Sequence, residues 1–263
     1  MAADYSWLHT YAPKSFKSAQ LVIPEEERLQ FLEISEGRSK ENIILAGTAG
    51  TGKTSIATLL KKQAVNQVTI ECPQMRSDKH WQTGGDGWQL MMGANPLDRF
   101  FMSKTELRRK KIPRLVLLEE FDLIANQSVF KTLLDSNSAR EAVTILTTNN
   151  FSAIEEPIVS RCSVFHFGRE SELWMNYEDD KPAGCRGQIE QDLRMLMRRV
   201  LYGEIKKSVR KEQIENPNTI QIFKNIINNS YPSVRECLTN ARKYVRRGEL
   251  IIPKRLLQPI TDE

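Results

Sequence analysis

One short segment limits the folds open to this chain more than any other feature of its sequence. Gly47–Thr54 reads GTAGTGKT and fits the pattern G-x-x-x-x-G-K-[ST], directly between an apolar run and a helical stretch. In that context the glycines let the backbone curl, so that successive N–H groups and a helix N-terminus face phosphate oxygens. The alternative is a glycine-rich turn with a chance lysine, and the flanking strand and helix argue against it. The segment therefore predicts a strand–loop–helix unit that binds a nucleoside triphosphate.

Individual positions of this loop have expected tasks. Lys53 would neutralise the β- and γ-phosphate oxygens, and the Thr54 hydroxyl would ligate Mg²⁺. The ATP-binding residues predicted from the loop are Gly47, Thr48, Ala49, Gly50, Thr51, Gly52, Lys53, Thr54 and Ser55. ATP and Mg²⁺ are thus the expected cofactors.

Residues 1–168 alternate short apolar runs with helical stretches, which is the order expected of a parallel sheet covered by helices. The candidate strands are Asn42–Ala46, Val68–Glu71, Leu115–Leu118, Val143–Thr147 and Val164–Phe167. The third and fourth are uninterrupted apolar runs, which is typical of strands buried on both faces. We therefore predict an α/β nucleotide-binding domain over residues 1–168.

After Gly168 the pattern changes to a polar stretch, residues 170–187, and then to helical periodicity alone. Apolar residues recur at helical spacing in three sets: Ile189, Leu193, Leu196 and Val200; Ile220, Phe223 and Ile227; and Val234, Leu238, Ala241 and Val245. Residues 169–263 are therefore predicted to form a small helical lid domain.

The composition excludes several classes of protein. A 263-residue chain with 40% hydrophobic and 27% charged residues is neither disordered, collagen-like nor a coiled coil. The four cysteines lack zinc-site spacing and disulfide density, so we expect reduced thiols. No apolar run approaches the roughly 18 residues of a spanning helix, and the N-terminus lacks the order of a signal peptide. No membrane partner is expected, and the predicted location is cytoplasmic, in the host if the protein is viral.

The segment Leu115–Asp122, LVLLEEFD, places carboxylates at the end of a buried strand. A P-loop hydrolase needs such acids at the end of a strand that neighbours its loop. Glu119 would hold the Mg²⁺ shell, and Glu120 would orient and polarise the attacking water. The alternative is an acidic strand end that only meets solvent.

Two further side chains extend the candidate site. Asn149 follows the fourth strand and could hydrogen-bond the γ-phosphate or the attacking water, although its sequence context also suits an ordinary turn. Arg161 precedes the last strand and could reach the phosphate of a neighbouring molecule. A lone exposed arginine is usually solvated surface, so spacing by itself leaves the role of Arg161 open.

Taken in order, these motifs resemble those of the AAA+ clamp-loader ATPases, and most closely the large ATPase subunit of T4-type phage sliding-clamp loaders. Glu119–Asp122 is similar to the family's Asp-Glu-Phe-Asp or Asp-Glu-Ala-Asp box, with Glu119 in place of the usual Asp. Asn149 matches the sensor-1 asparagine, and Ser160–Cys162 matches the SRC motif. The resemblance implies an AAA+ P-loop NTPase fold, and it makes Arg161 the finger inserted into the ATP site of the next subunit.

The resemblance also implies contacts from outside the central motifs. Tyr11-Ala12-Pro13 looks like the family's Tyr-Arg-Pro segment, so Tyr11 and Pro13 would lie against the adenine. Tyr231–Arg235 looks like the sensor-2 segment, so Arg235 would contact the γ-phosphate within the same chain. With the loop, the implied catalytic set is Lys53, Glu120, Asn149, Arg161 and Arg235.

Basic residues provide candidate DNA contacts. The net charge of +5 suits a polyanionic partner without establishing one. Gln127 and Lys131 fall where the family has a glutamine and a basic residue that face DNA or couple it to the ATP site. Two basic clusters could also meet phosphates: Arg108–Lys111, and Lys206, Lys207, Arg210 and Lys211. Such runs are more often solvated faces.

The function implied by the resemblance is ATP-dependent loading of a DNA polymerase sliding clamp onto primer-template DNA. The partners would be other clamp-loader subunits in a ring or spiral, the clamp and the DNA, with an ATPase stimulated by both. Two departures from the family are expected: Glu119 in place of Asp, and no full collar domain after the lid. Either the protein assembles differently, or another chain supplies the collar, or the sequence is shortened. The alternatives are a helicase loader or replication initiator, and a switch subunit that binds ATP without hydrolysing it. A P-loop kinase would leave Asn149, Arg161 and Arg235 without a common explanation.

Overall fold

The computed structural model describes residues 5–74, 78–81, 111–139, 142–168, 177–178, 181–182 and 184–252. The chain divides into two units. We call Ile23–Glu172 the nucleotide unit, and we call Met1–Val22 together with Leu173–Glu263 the helical unit. The later boundary lies close to the predicted change at Gly168. The N-terminal 22 residues differ from the sequence-based assignment, because they group with the helices and not with the sheet.

A parallel sheet organises the nucleotide unit. Its strands are β1 (Ile43–Gly47), β2 (Ala64–Glu71), β3 (Ile112–Glu119), β4 (Ala142–Thr148) and β5 (Ser163–Phe167). They lie in the order β2-β3-β4-β1-β5, and every pairing is parallel. The predicted α/β fold with five strands is therefore confirmed, and the carboxyl ends of all five strands meet at one edge of the sheet.

The strand order corrects one detail of the sequence interpretation. The acidic strand β3 is not the direct neighbour of β1, because β4 lies between them: Leu45 of β1 pairs with Thr147, and Leu117 of β3 pairs with Ile145. Every residue of β1 and β4 is buried, as expected of central strands in a parallel sheet. Residues that follow β4 therefore lie between the loop after β1 and the acids after β3.

The described helices alternate with these strands and then follow them. They are α1 (Tyr5–Thr10), α2 (Glu25–Ser35), α3 (Lys53–Lys61), α4 (Asp78–Trp81), α5 (Phe130–Ala139), α6 (Glu156–Val159), α7 (Gly184–Glu204), α8 (Arg210–Ile214), α9 (Pro217–Ser230) and α10 (Val234–Arg242). Single 3-10 turns occupy Cys72–Gln74, Phe121–Leu123, Gln127–Val129 and Phe151–Ala153. Across the described ranges, no helix combines the length and the apolar character needed to cross a membrane.

Two groups of aromatic side chains pack within the largely aliphatic core of the nucleotide unit. Phe31 of α2 packs on Phe165 and Phe167 of β5, with ring centroids 4.5 and 6.4 Å apart. Phe121 and Phe130 meet edge to face at 4.9 Å, and both are fully buried. Because burying one such side chain contributes about 1.5–3 kcal/mol, this second pair firmly attaches the turn after β3 to the start of α5.

The helical unit contains the three amphipathic helices that the sequence predicts, together with the short helices α1 and α8, which it does not predict. Helix α9 begins at Pro217, and the side chain of Asn216 caps it by accepting a hydrogen bond from the Asn218 N–H at 2.9 Å. The Ser233 hydroxyl caps α10 in the same way, accepting from the Glu236 N–H at 3.2 Å.

Three apolar positions of the predicted helices are not buried as expected: Ile220, Val234 and Val245. Ile220 is 44% exposed, whereas Thr219 is 4% exposed, because the buried face of α9 contains Thr219, Phe223 and Ile227 but not Ile220. Val245 is not helical: α10 ends at Arg242, and the chain forms a hairpin of β8 (Val245–Arg246) and β9 (Glu249–Leu250). A second small hairpin pairs β6 (Tyr177–Glu178) with β7 (Lys181–Pro182).

Tyr11 attaches the N-terminal segment to α7 within the helical unit. Its hydroxyl donates to Oε1 of Glu204 at 2.9 Å and lies 3.4 Å from the carbonyl oxygen of Val200. Gly203 leaves room for this ring, since a Cβ at that position would lie 2.2 Å from the hydroxyl. Burial and the Glu204 carboxylate raise the pKa of Tyr11 to about 12, so the hydroxyl remains a donor at neutral pH.

The cysteine side chains that the structure describes are free thiols: Cys72, Cys162 and Cys237. Burial raises the pKa of each to about 12, so all three are protonated at neutral pH. This agrees with the expectation of reduced thiols. The side chain of Cys185 lies outside the described residues.

Candidate nucleotide-binding site

The loop between β1 and α3 requires glycine at three positions. Gly47, Gly50 and Gly52 have φ values of 133°, 84° and 107°, which favour glycine over residues with a Cβ. At Gly47 the space is closed as well, because a Cβ would lie 1.9 Å from the carbonyl oxygen of Phe167 in β5. At Gly52 a Cβ would meet nothing within 4 Å, so the loop is open at that point.

The N-terminus of α3 is arranged to receive an anion. Gly52 occupies the N-cap position, and within the described part of the chain no side chain caps this helix end. The hydroxyl of Thr51 bonds instead to the Thr48 carbonyl inside the loop, at 2.9 Å. The first N–H groups of α3 and the open space at Gly52 therefore fit the phosphates of a nucleotide.

Lys53 lies within this loop and is 8% exposed. Its ammonium donates to the carbonyl oxygens of Gly47 and Thr48, the latter at 2.8 Å, and to Oδ1 of Asn149 at 3.0 Å. These oxygens carry only partial charge, and a buried ammonium gains most from an anionic partner. A phosphate group at the open side of the loop would be a further, anionic acceptor for this ammonium.

Asn149 is the first predicted residue that the fold brings to the loop from a distant segment. It follows β4, which pairs directly with β1, and its amide oxygen accepts from Lys53. The Thr148 hydroxyl accepts from the Asn150 N–H at 2.9 Å and so shapes the turn that presents Asn149. Asn149 therefore lies beside the loop, whereas its contact with a γ-phosphate or the attacking water stays a prediction.

Glu120 lies at the end of β3 in a left-handed backbone conformation, with φ 55° and ψ 50°. Residues other than glycine adopt this conformation at a cost of about 1–3 kcal/mol, and such strain is often found at functional sites. The side chain is exposed, and the N–H donates to the Thr147 hydroxyl at 3.2 Å. The strained turn thus directs a carboxylate away from the sheet at the edge where the loop lies.

Glu119 is half-buried beside other carboxylates. Its register partner on β2 is Glu71. Burial raises the pKa of Glu119, the Glu71 and Glu120 carboxylates act in the same direction, and the Lys61 ammonium opposes them. A divalent cation would reverse this local repulsion.

The donor set is compatible with Mg²⁺ held partly by the nucleotide. Thr54 is exposed in the first turn of α3, where its hydroxyl is available as a ligand. In the ranges that the structure describes, no three His, Cys, Asp or Glu side chains form a metal-binding group. Mg²⁺ typically uses one or two protein ligands together with phosphates and waters, so a hydroxyl such as that of Thr54 and a carboxylate such as that of Glu119 are chemically suited to it. Their contact with the ion stays a prediction.

Arg161 lies in the turn before the edge strand β5, and its side chain is 33% exposed. Its Nε donates to Oδ1 of Asp135 in α5 at 3.0 Å, and its Nη1 donates to the Pro157 carbonyl at 2.8 Å. Arg161 therefore lies beside an edge strand of the nucleotide unit. The action of Arg161 on another subunit stays a prediction.

The remaining sequence-predicted contacts belong to the helical unit. Tyr11 and Pro13 lie in the N-terminal segment, and Arg235 is exposed in the first turn of α10. The structure gives Tyr11 a hydrogen bond to Glu204, a contact that sequence reasoning did not foresee. The contacts of these three residues with a nucleotide stay predictions.

Gln127 is buried, at 3% exposure, and does not face outward. Its Nε2 donates to the Ala153 carbonyl, and its Oε1 accepts from the Glu155 N–H, both at 2.9 Å. It therefore joins the segment after β3 to the segment after β4. Among the basic candidates, Lys206, Lys207 and Lys211 are exposed and Arg210 is half-buried, whereas residues 108–110 lie outside the described residues.

Sequence reasoning missed three side chains that contact or face the predicted site: Glu71, Asp135 and Thr147. Glu71 and Thr147 lie at the ends of predicted strands, but the residues that lie next to them depend on the order of the strands in the sheet. Asp135 lies on a helix with no local signal that points to Arg161. The only signal that could have identified Thr147 is its position two residues before Asn149, since alternate residues of a strand share a face.

We expect Gly47→Ala to destabilise the nucleotide unit by at least about 3 kcal/mol, because the new Cβ would overlap the backbone of β5. For a unit of this size, the melting temperature should fall by about 6–12 °C in a thermal unfolding experiment. Gly52→Ala is the matched control: it adds the same methyl group in open space, so strain of about 1–2 kcal/mol is the expected cost. Equal losses for the two variants would contradict the steric argument.

Comparisons with known proteins agree with this geometry. A family model described as "ATPase family associated with various cellular activities (AAA)" matches residues 43–169. The match runs from the start of β1 past the end of β5. It includes the loop, the acids Glu119 and Glu120 at the end of β3, Asn149 and Arg161.

The chain also resembles curated relatives. It is 26% identical over 243 residues to the sliding-clamp-loader large subunit of Escherichia phage RB69, covering 91% of this chain and 64% of that protein. It is 25% identical over 215 residues to replication factor C small subunit 1 of Pyrobaculum arsenaticum, covering 81% and 62%. The chain therefore spans less than two thirds of the length of these relatives.

Among solved structures, a single-residue variant of RuvB from Thermotoga maritima aligns with a TM-score of 0.47 at 12% identity, over 89% of this chain and 72% of that one. The resemblance to clamp-loader subunits that the sequence predicted is confirmed by the relatives.

Proposed function

We propose that this chain is an ATP-hydrolysing subunit that loads a DNA polymerase sliding clamp onto primer-template DNA, and the match of residues 43–169 to the AAA family model supports this proposal. The observation that carries the ATP site is the meeting of Lys53 and Asn149 in an open glycine loop, at 3.0 Å. Similarity to the sliding-clamp-loader large subunit supports the choice of clamp loading over other tasks of AAA domains.

The residues of the site divide the work of hydrolysis. Bound ATP and Mg²⁺ would supply the reacting phosphoryl group and neutralise its charge. The amides of the loop from Gly47 to Ser55 and the ammonium of Lys53 hold the phosphates, while Thr54 and Glu119 hold the ion. Glu120 orients and polarises the attacking water, and Asn149 fixes the position of Lys53 or of that water.

The other contacts and partners follow from the resemblance. Arg161 completes the ATP site of an adjacent subunit, which requires head-to-tail contacts and a ring or spiral assembly. Tyr11, Pro13 and Arg235 contribute to nucleotide binding from the helical unit, which acts as the lid. The partners are other clamp-loader subunits, the sliding clamp and primer-template DNA, and the site of action is the cytoplasm.

Mg²⁺-dependent phosphate release by the full chain tests this function. The rate is measured with ATP alone, with primed DNA, and with primed DNA plus the sliding clamp of the same replication system. We expect the largest rate when DNA and clamp are both present, and Glu120→Gln serves as the isosteric control. Stimulation by a replicative helicase and not by the clamp would favour a helicase loader. ATP binding without turnover under every condition would favour the switch subunit.

A further inference from the structure

One buried hydroxyl links the acidic end of β3 to the strand that carries Asn149. Thr147 is 6% exposed, and its Oγ1 accepts a hydrogen bond from the backbone N–H of Glu120 at 3.2 Å. Two residues further along, Asn149 accepts from Lys53. The end of β4 therefore contacts both the predicted catalytic glutamate and the loop lysine.

This contact occurs where the backbone hydrogen bonding between β3 and β4 ends. The register of β3 with β4 ends at the pair Leu118 and Leu146, and Glu120 lies two residues beyond that end. The Thr147 hydroxyl gives the N–H of Glu120 a partner on β4 at the point where Glu120 takes its left-handed conformation. Since φ and ψ of Glu120 determine the direction of its Cα–Cβ bond, a contact that holds this backbone also holds the carboxylate.

We propose that Thr147 is a positioning residue for Glu120, which sets the direction of the Glu120 carboxylate through its backbone N–H. The proposal rests on the proposed ATPase function, in which Glu120 acts on the attacking water. Catalysis of phosphoryl transfer depends on placement, and a misplacement of about 1 Å can reduce a rate by about 10²-fold.

Kinetics of Thr147→Val and Thr147→Ser test the proposal. Valine keeps the volume of threonine but removes the acceptor, so we expect kcat to fall by at least about tenfold while the KM for ATP changes by less than about twofold. Serine keeps the hydroxyl and should hold kcat within about threefold of wild type. Thr144→Val is the matched control, because Thr144 is also buried on β4 but pairs with Val116, away from Glu120. Wild-type kcat in Thr147→Val, or equal losses in the three variants, would overturn the proposal.

Amide hydrogen exchange at Glu120 provides a readout that needs no turnover. In Thr147→Val the Glu120 amide should exchange about fivefold faster or more than in wild type, whereas Thr147→Ser should retain its protection. Unchanged exchange at Glu120 in Thr147→Val would overturn the proposal even if turnover fell. If the wild-type chain failed to hydrolyse ATP with clamp and DNA present, the proposed function would fail. The exchange rate would then still decide whether Thr147 holds Glu120.

Discussion

Glu120→Gln is expected to reduce ATP turnover by about 10²–10⁴-fold while leaving ATP affinity within about threefold of wild type. Glutamine has the shape of glutamate but cannot polarise or accept a proton from the attacking water. The loop, Lys53 and the N-terminus of α3 are unchanged in this variant, so the phosphates keep their contacts. Steady-state phosphate release gives kcat, and titration with a fluorescent ATP analogue gives the affinity.

Stability separates a chemical effect of this substitution from a structural one. The Glu120 side chain is exposed, and the hydrogen bond to Thr147 is made by the backbone N–H, which glutamine retains. The free energy of unfolding should therefore change by no more than about 0.5 kcal/mol. Glu156→Gln, on an exposed position of α6, is the control and should keep wild-type turnover. If Glu120→Gln retained more than about half of the wild-type turnover, a residue other than Glu120 would have to polarise the attacking water.

Arg161→Ala is expected to lower ATP turnover in the assembled complex by about 10³-fold or more, which is the range of arginine fingers in phosphoryl transfer. ATP binding by the separate chain should be retained, because Arg161 contacts Asp135 and the Pro157 carbonyl in its own unit, and Lys53 holds the loop. The lost ion pair is partly exposed, so it should cost at most about 1 kcal/mol of stability. Turnover is measured at a protein concentration where assembly is confirmed by light scattering.

Mixing two inactive variants shows whether Arg161 acts across a subunit boundary. The Arg161→Ala variant keeps the intact nucleotide-binding loop with Lys53, and the Lys53→Ala variant keeps Arg161. If the finger acts in trans, a mixed assembly contains interfaces that combine the loop of the first variant with the arginine of the second. The mixture should then recover turnover that neither variant has. No recovery in confirmed mixed assemblies would mean that Arg161 acts within its own chain or not at all.

Local sequence patterns were sufficient for the glycine loop and the five strands of the nucleotide unit and for the main helices of the helical unit. The loop, the five strands and the three long helices of the helical unit each depend on residues close together in the chain, namely glycines at fixed offsets, apolar runs or helical periodicity. The exceptions are informative. Ile220 and Val245 match the helical period but lie outside the buried helix faces. Packing against neighbouring helices determines which face of α9 is buried, and α10 already ends at Arg242, before Val245.

The relations between distant segments could not be obtained in this way. The sequence indicated the chain order of the loop Gly47–Thr54, the acids Glu119 and Glu120, Asn149 and Arg161. It also indicated the residue types that ATP hydrolysis requires. Only the tertiary structure decided that β4 separates β1 from β3, that Lys53 meets Asn149, that Thr147 holds Glu120, that Asp135 pairs with Arg161, and that the N-terminal segment packs on α7. The physical reason is that a turn or a helix is specified by contacts within a few residues. The neighbours of a strand end are instead specified by the packing of the whole sheet and its helices.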